Sequence, residues 1–182
     1  MNMSVPDADI IALIRSNPDR GFRLMVSQYS ERIYWHIRRI VNSHQDAEDV
    51  TQDTFLRIFR SIGSLNEGNA LRGWIYRIAT NEALRHLEKN GGAYLPLEDA
   101  AGLATDSYMD YSDIEAVQLK KAIGTLPPRQ RVVFNLRYYD GLEYEEIASV
   151  LATGVHNVRA NYHNAKAHIV KCMKSWNISM SY

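Results

Sequence analysis

The chain has 182 residues, 46% of them hydrophobic and 23% charged, enough for one medium domain or two small ones. No apolar run approaches the ~18 residues that mark a membrane span, and the opening MNMSVPDAD lacks the basic-then-apolar order of a secretory signal, so the composition predicts a cytosolic protein. The single Cys172 excludes an intramolecular disulfide, and the formal net charge of zero hides a segregation: residues 1–90 carry 12 Lys+Arg against 11 Asp+Glu, residues 91–119 carry 0 against 6, and residues 120–182 carry 9 against 4.

Helical apolar spacing begins at residues 9–14 and resumes over 21–41, where Phe22, Met25, Val26, Tyr29, Ile33, Ile37 and Val41 recur at intervals of three and four. Asn17-Pro18-Asp19 between them is a turn signal, with Asp19 as the expected N-cap. Arg38 and Arg39 place cations where they complement the carbonyl end of the second helix. Residues 43–62, SHQDAEDVTQDTFLRIFRSI, form the next helix. Ser43 followed by Asp46 reads as its capping box, and Asp46, Glu48 and Asp49 suit the positive end of the dipole. A helical wheel divides it into an apolar stripe of Phe55, Ile58, Phe59 and Ile62 and a second stripe of Asp46, Asp49, Gln52, Asp53 and Leu56. Periodicity alone describes the second stripe as a solvated acidic face. The motif says more: D-A-E-D-V-x-Q-D-T-F resembles the core-binding helix of bacterial RNA polymerase sigma factors. That resemblance implies that Asp46, Asp49, Gln52, Asp53 and Leu56 dock on the coiled-coil clamp helices of the polymerase core.

A polar, glycine-bearing loop, GSLNEGNA at 63–70, leads into a further helix, LRGWIYRIATNEALRHLEKN. At 100° per residue Trp74, Arg77, Asn81 and Arg85 lie within about 80° of one another. One reading of this stripe is a core tryptophan beside a solvated face that also carries Glu88; the other is a stacking and cationic surface for unpaired bases. W-I-Y-R-I-A-x-N-E-A is similar to a segment of the extracytoplasmic-function (ECF) group of sigma factors. The similarity implies that Trp74, Arg77, Asn81 and Arg85, with the loop before them, capture the melted −10 promoter element and a flipped base.

Gly91-Gly92 ends that helix, and residues 91–113 read as a flexible acidic linker. Residues 114–124 form a short helix, and Leu126-Pro127-Pro128 starts another, with Pro128 suited to its first turn and Val132, Val133, Leu136 and Tyr138 expected to be buried. Asp140-Gly141 breaks it. Residues 144–151 and the segment from Val155 onward, separated by Ala152-Thr153-Gly154, have the pattern of a helix-turn-helix. No acid follows Glu146, whereas Arg159, Lys166, Lys171 and Lys174 do, as phosphate contact requires. L-P-x-x-Q-R-x-V-x-x-L-R-Y-x-x-G-L-x-Y-x-E-I-A resembles the −35-binding domain of the same sigma family, which implies the polymerase flap as a further partner. A helix-turn-helix inserts the first turns of its second helix into the major groove, which presents His156, Asn157, Arg159, Ala160, Asn161 and His163 to DNA, with Lys166 as a sequence-independent contact. The reading helix departs from the family pattern. Ala152 occupies the turn glycine, where a left-handed backbone would be strained; Gly154 replaces the capping serine; Asn161 and Asn164 stand where arginines are common, amides suited to adenine.

His156, His163, His168 and Cys172 do not converge on one helical face, so no metal site is expected. No nucleophile elbow, phosphate loop or metal-ligand motif is present, so neither catalysis nor a cofactor is expected. The residues therefore predict an all-α protein of two small helical domains, 1–90 and 114–182, joined by the linker 91–113. By resemblance it is a non-enzymatic ECF sigma factor with polymerase core, promoter DNA and an anti-sigma factor, often membrane-anchored in that family, as partners. A stand-alone helix-turn-helix regulator and an anti-activator scaffold binding only proteins are the alternatives. The paired motifs around Asp46 and Trp74 argue against the first, and DNA binding with a steep salt slope would argue against the second.

Overall fold

A computed structural model describes residues 5–41, 43–65, 70–90 and 114–179. Among the described residues the chain is helical throughout: α1 Asp7–Ser16, α2 Pro18–Arg38, α3 His44–Ser61, a 3-10 turn Ile62–Ser64, α4 Leu71–Lys89, α5 Ile114–Gly124, α6 Pro128–Tyr138, α7 Tyr144–Val150 and α8 Val155–Ser179. It divides into two compact units, one built from α1–α4 with the short stretch Ser149–Ala152 and the other from the remainder of α5–α8. The expected linker lies outside the described residues, as does most of the loop between α3 and α4.

In the first unit, Ile10 and Ile14 of α1, Met25, Ile33 and Ile37 of α2, Ile58 of α3 and Leu71 and Ile75 of α4 are buried against one another. Removing each such side chain from water stabilises the fold by about 1.5–3 kcal/mol, which makes this core the organising element of the unit. One polar pair is enclosed with it. His36 and Thr80 are both fully buried, and the imidazole Nε2 lies 2.9 Å from Thr80 Oγ1 while its ring meets Tyr76 edge-on at 5.0 Å. The hydrogen bond offsets the desolvation of both groups and fixes α2 against α4.

Local chemistry sets the helix ends. Asn17, rather than Asp19, caps α2, its side-chain oxygen accepting from the Arg20 amide at 3.1 Å; Pro18 takes the first helical position, which leaves Asp19 inside the helix. Ser43 caps α3 as expected, accepting from the Asp46 amide at 2.9 Å. Arg38 does more than complement a dipole: it is buried and donates to the Val41 carbonyl beyond the helix end. Helices α1 and α2 approach so closely at Gly21 that a Cβ there would lie 2.5 Å from the Ile14 backbone nitrogen. Backbone cannot yield as a side-chain tip can, so Gly21→Ala is expected to destabilise the unit by about 1–3 kcal/mol, read as a lowered thermal midpoint. An unchanged midpoint would mean that α1 is free to shift.

The buried face of α3 differs from the expected apolar stripe. Ala47, Val50, Thr54 and Ile58 point inward, whereas Phe59 is 48% exposed and Phe55 and Ile62 are half-buried. The small and β-branched residues sit against α2 and α4 because they allow close helix approach, and the phenylalanines fall on the flank.

In the second unit Ala122, Ile123, Leu126, Phe134, Ala165 and Ile169 form a core cluster, with Tyr162, Met173 and Trp176 packed beside it. Val132, Val133 and Leu136 are buried as expected, but Tyr138 is 54% exposed; the core aromatic of α6 is Phe134, on which Tyr138 stacks at 5.1 Å. Arg131 is also buried and donates to the Gly124 carbonyl, tying α6 to the end of α5. Gly141, at φ 64, turns the chain after α6. The turn after α7 is a Schellman arrangement, in which the Thr153 amide donates to the Ala148 carbonyl and the Ala152 amide to that of Ser149. Ala152 occupies the left-handed position at φ 48, the strain expected from its substitution for glycine, worth roughly 1–2 kcal/mol.

Candidate functional site

Helix α3 presents Asp49, Gln52 and Asp53 to solvent together with Leu56, 48% exposed. Asp46 lies at the edge of this face, half-buried, with Oδ1 3.2 Å from His86 Nε2 of α4. The face is more apolar than the sequence suggested. Phe59 is exposed to the same extent as Leu56 and meets Phe22 of α2 edge-to-face at 5.0 Å, so carboxylates border an outward-facing aromatic patch. A large exposed apolar group beside charges of one sign suits a protein partner carrying apolar and basic groups.

On α4 the buried residues Leu71, Ile75, Tyr76, Ala79, Thr80 and Ala83 define one face. Trp74, Arg77, Asn81 and Arg85 fall on the opposite one. Arg77 and Asn81 are exposed, Trp74 and Arg85 half-buried. Both readings of Trp74 therefore keep a part: one portion of the indole packs and the rest is available for stacking. Arg85 is held in place by Glu82, Nη1 lying 2.9 and 3.0 Å from the two carboxylate oxygens.

In the helix-turn-helix formed by α7 and α8, Val158 and Ile147 are both fully buried. That orientation turns His156, Asn157, Arg159, Ala160, His163 and Lys166 outward, while Asn161 is half-buried at the edge. Asn161 Nδ2 donates to the Asn157 carbonyl one turn back at 2.7 Å, leaving the side-chain oxygen and one N–H for another partner. The Arg159 guanidinium rests 5.5 Å from the Tyr144 ring centre and 3.4 Å from a Glu145 oxygen, which orients it across the face of the motif. Lys166 Nζ lies 5.0 Å over Tyr162.

Residues 25–92 match the family model of sigma-70 region 2, and residues 116–169 match that of sigma-70 region 4. The RNA polymerase sigma-H factor of Pseudomonas aeruginosa is 30% identical, with 92% of this chain and 94% of that protein aligned. The chain belongs to the ECF group of sigma-70 RNA polymerase sigma factors. The ECF sigma-E factor of Escherichia coli K12 is 27% identical over 93% of this chain and 95% of its own. In fold, the sigma factor is similar to RpoE, solved in complex with the anti-sigma factor NepR from Bartonella quintana, at a TM-score of 0.68 and 22% identity, covering 84% of this chain and 96% of that one.

Several residues of this sigma factor escaped sequence reasoning. Glu82 and His86 form the edge of α4 that meets α3; Arg57 crosses from α3 with Nε 2.8 Å from Glu82 Oε1. The three-residue step from Glu82 to Arg85 was readable as a helical ion pair, but the reach of Arg57 across helices had no sequence signal. Tyr144 stands in the G-L-x-Y-x-E-I-A motif without a role to read from it, yet takes two guanidiniums, those of Arg137 at 5.0 Å and Arg159 at 5.5 Å. The hydrogen bond from Arg137 to Glu143 raises the Arg137 pKa, and burial, followed by the field of Tyr144, raises that of the Tyr162 phenol. The cation and the neutral ring therefore both persist through the physiological range. Among the described residues no three His, Cys, Asp or Glu side chains gather as metal ligands, and no helix is long and apolar enough to cross a membrane.

Proposed function

We propose that the sigma factor divides its work among three outward faces: α3 binds the polymerase clamp helices through Asp46, Asp49, Gln52, Asp53 and Leu56; α4 engages the melted −10 element through Trp74, Arg77, Asn81 and Arg85; α8 reads the −35 element through His156, Asn157, Arg159, Ala160, Asn161, His163 and Lys166. The observation that carries this reading is the coincidence of each residue set with a face turned away from its own core. Residues 1–90 and 114–182 act as separate domains, with 91–113 linking them and the polymerase flap receiving the second. The protein works in the cytoplasm, binds and opens promoters without chemistry of its own, and is held in reserve by an anti-sigma factor, membrane-anchored as is frequent in the group. The complex of RpoE with NepR supports that last partner.

Randomised promoter DNA selected by polymerase reconstituted with this chain tests the assignment. Asn157, exposed in the first turn of α8, is expected to read adenine, so Asn157→Ala relaxes preference at one −35 position by about 1–3 kcal/mol. Asn161→Ala has a smaller effect, because Asn161 is half-buried and its Nδ2 is tied to the helix backbone at 2.7 Å, whereas the bond from Asn157 Nδ2 to Thr153 Oγ1 is long at 3.4 Å. Lys166→Ala weakens every sequence alike. Equal enrichment by the parent and Asn157→Ala would move specificity to DNA shape or to the −10 contacts.

A further inference from the structure

At the seam between α3 and α4 a single carboxylate serves two guanidiniums. Glu82 Oε1 lies 2.8 Å from Arg57 Nε and 2.9 Å from Arg85 Nη1, with Oε2 3.0 Å from the latter. The Glu82 side chain is only 12% exposed, whereas those of Arg57 and Arg85 are 51% and 40% exposed. The anion is thus shielded and the cations face outward. Fastening two helices needs one such pair; the second guanidinium leaves the three-residue cluster itself with one positive charge in excess, and Arg85 places that cluster on the α4 stripe of Trp74, Arg77 and Asn81. Arg57 meets Glu82 through Nε, and with its side chain 51% exposed the guanidinium keeps donors turned to solvent.

We propose that Arg57 and Arg85, oriented by Glu82, form a seat for a backbone phosphate of promoter DNA. The seat extends the DNA surface from α4 on to α3. Guanidiniums suit the role because their planar N–H edges match phosphate oxygens two at a time, and anchoring each through a single edge leaves the other edge for the ligand. Such a contact carries no sequence information. It positions the strand so that the stripe on α4 meets the bases. Glu82 is then a positioning residue, reducing the freedom that two long side chains would otherwise lose on binding.

This inference rests on the sigma-factor reading, and the test separates the two. The full-length protein is combined with core polymerase, comigration is confirmed, and binding to a labelled random-sequence duplex with a preformed bubble is measured over a range of KCl concentrations. Each phosphate contact contributes about 0.7–0.9 to the slope of log affinity against log salt. Arg57→Gln is expected to lower the slope by about that amount with comigration unaltered, and Arg85→Gln to do the same. Arg57→Lys, which keeps the charge and loses the planar fork, restores the slope but not the full affinity. A slope unchanged in Arg57→Gln overturns the proposal. So does an equal loss in Arg57→Gln and Arg57→Lys accompanied by a lowered thermal midpoint, because the pair then only fastens the helices. A parent protein that fails to comigrate with core overturns the sigma-factor assignment of these faces before DNA is added, and the phosphate seat with it.

Discussion

Asp49→Lys combined with Leu56→Ala is expected to abolish association with core polymerase while leaving the helical fold and thermal midpoint in place. Both side chains lie outside the core, Asp49 exposed and Leu56 48% so, and substitutions at such positions change stability by about 0.5 kcal/mol or less. At an interface the same changes are large. Truncating an apolar anchor costs about 2 kcal/mol or more, and placing a like charge against a basic partner costs several more, so affinity should fall by roughly a thousand-fold. Phe59, exposed like Leu56, and the half-buried Phe22 that meets it edge-to-face extend the apolar part of this surface. Core polymerase retained on the immobilised, folded double variant at parental levels would remove α3 as the binding helix.

Trp74→Ala is expected to leave core association intact and to reduce open-complex formation about ten-fold or more, because stacking contributes about 1–3 kcal/mol per base. Part of the indole is packed, so some destabilisation accompanies this change. Arg77→Ala supplies the cleaner comparison: its side chain is exposed, so its removal disturbs little packing. Permanganate reactivity of melted thymines reads the effect directly. Undiminished reactivity in both variants would make the stripe structural.

The helices were legible because apolar periodicity and capping residues act locally. The 114–124 helix, the Ser43 cap, the turn at Asp140-Gly141 and the left-handed Ala152 all follow from near neighbours in sequence. What escaped depends on partners distant in the chain. Phe59 reads as core by hydrophobicity, yet the faces of α2 and α4 admit Ala47, Val50 and Thr54 instead. Tyr138 has the spacing of a buried residue, but Phe134 one turn earlier fills the core and leaves it stacked outside. At the site, the charged and aromatic residues on α3, α4 and α8 were identifiable from helical spacing combined with family motifs. Their supports, Glu82 for Arg57 and Arg85, His86 for Asp46 and Tyr144 for Arg159, were not, because a side chain's reach between helices leaves no periodic trace.

Run-off transcription tests the central claim most directly. Core polymerase is mixed with fragmented genomic DNA from the source organism, with and without the full-length protein, and the transcripts are sequenced at their 5′ ends. The account predicts discrete start sites that appear only when the protein is present, share a −35 and a −10 element, and vanish with the Asp49→Lys, Leu56→Ala variant. Start sites identical with and without the folded protein would contradict it.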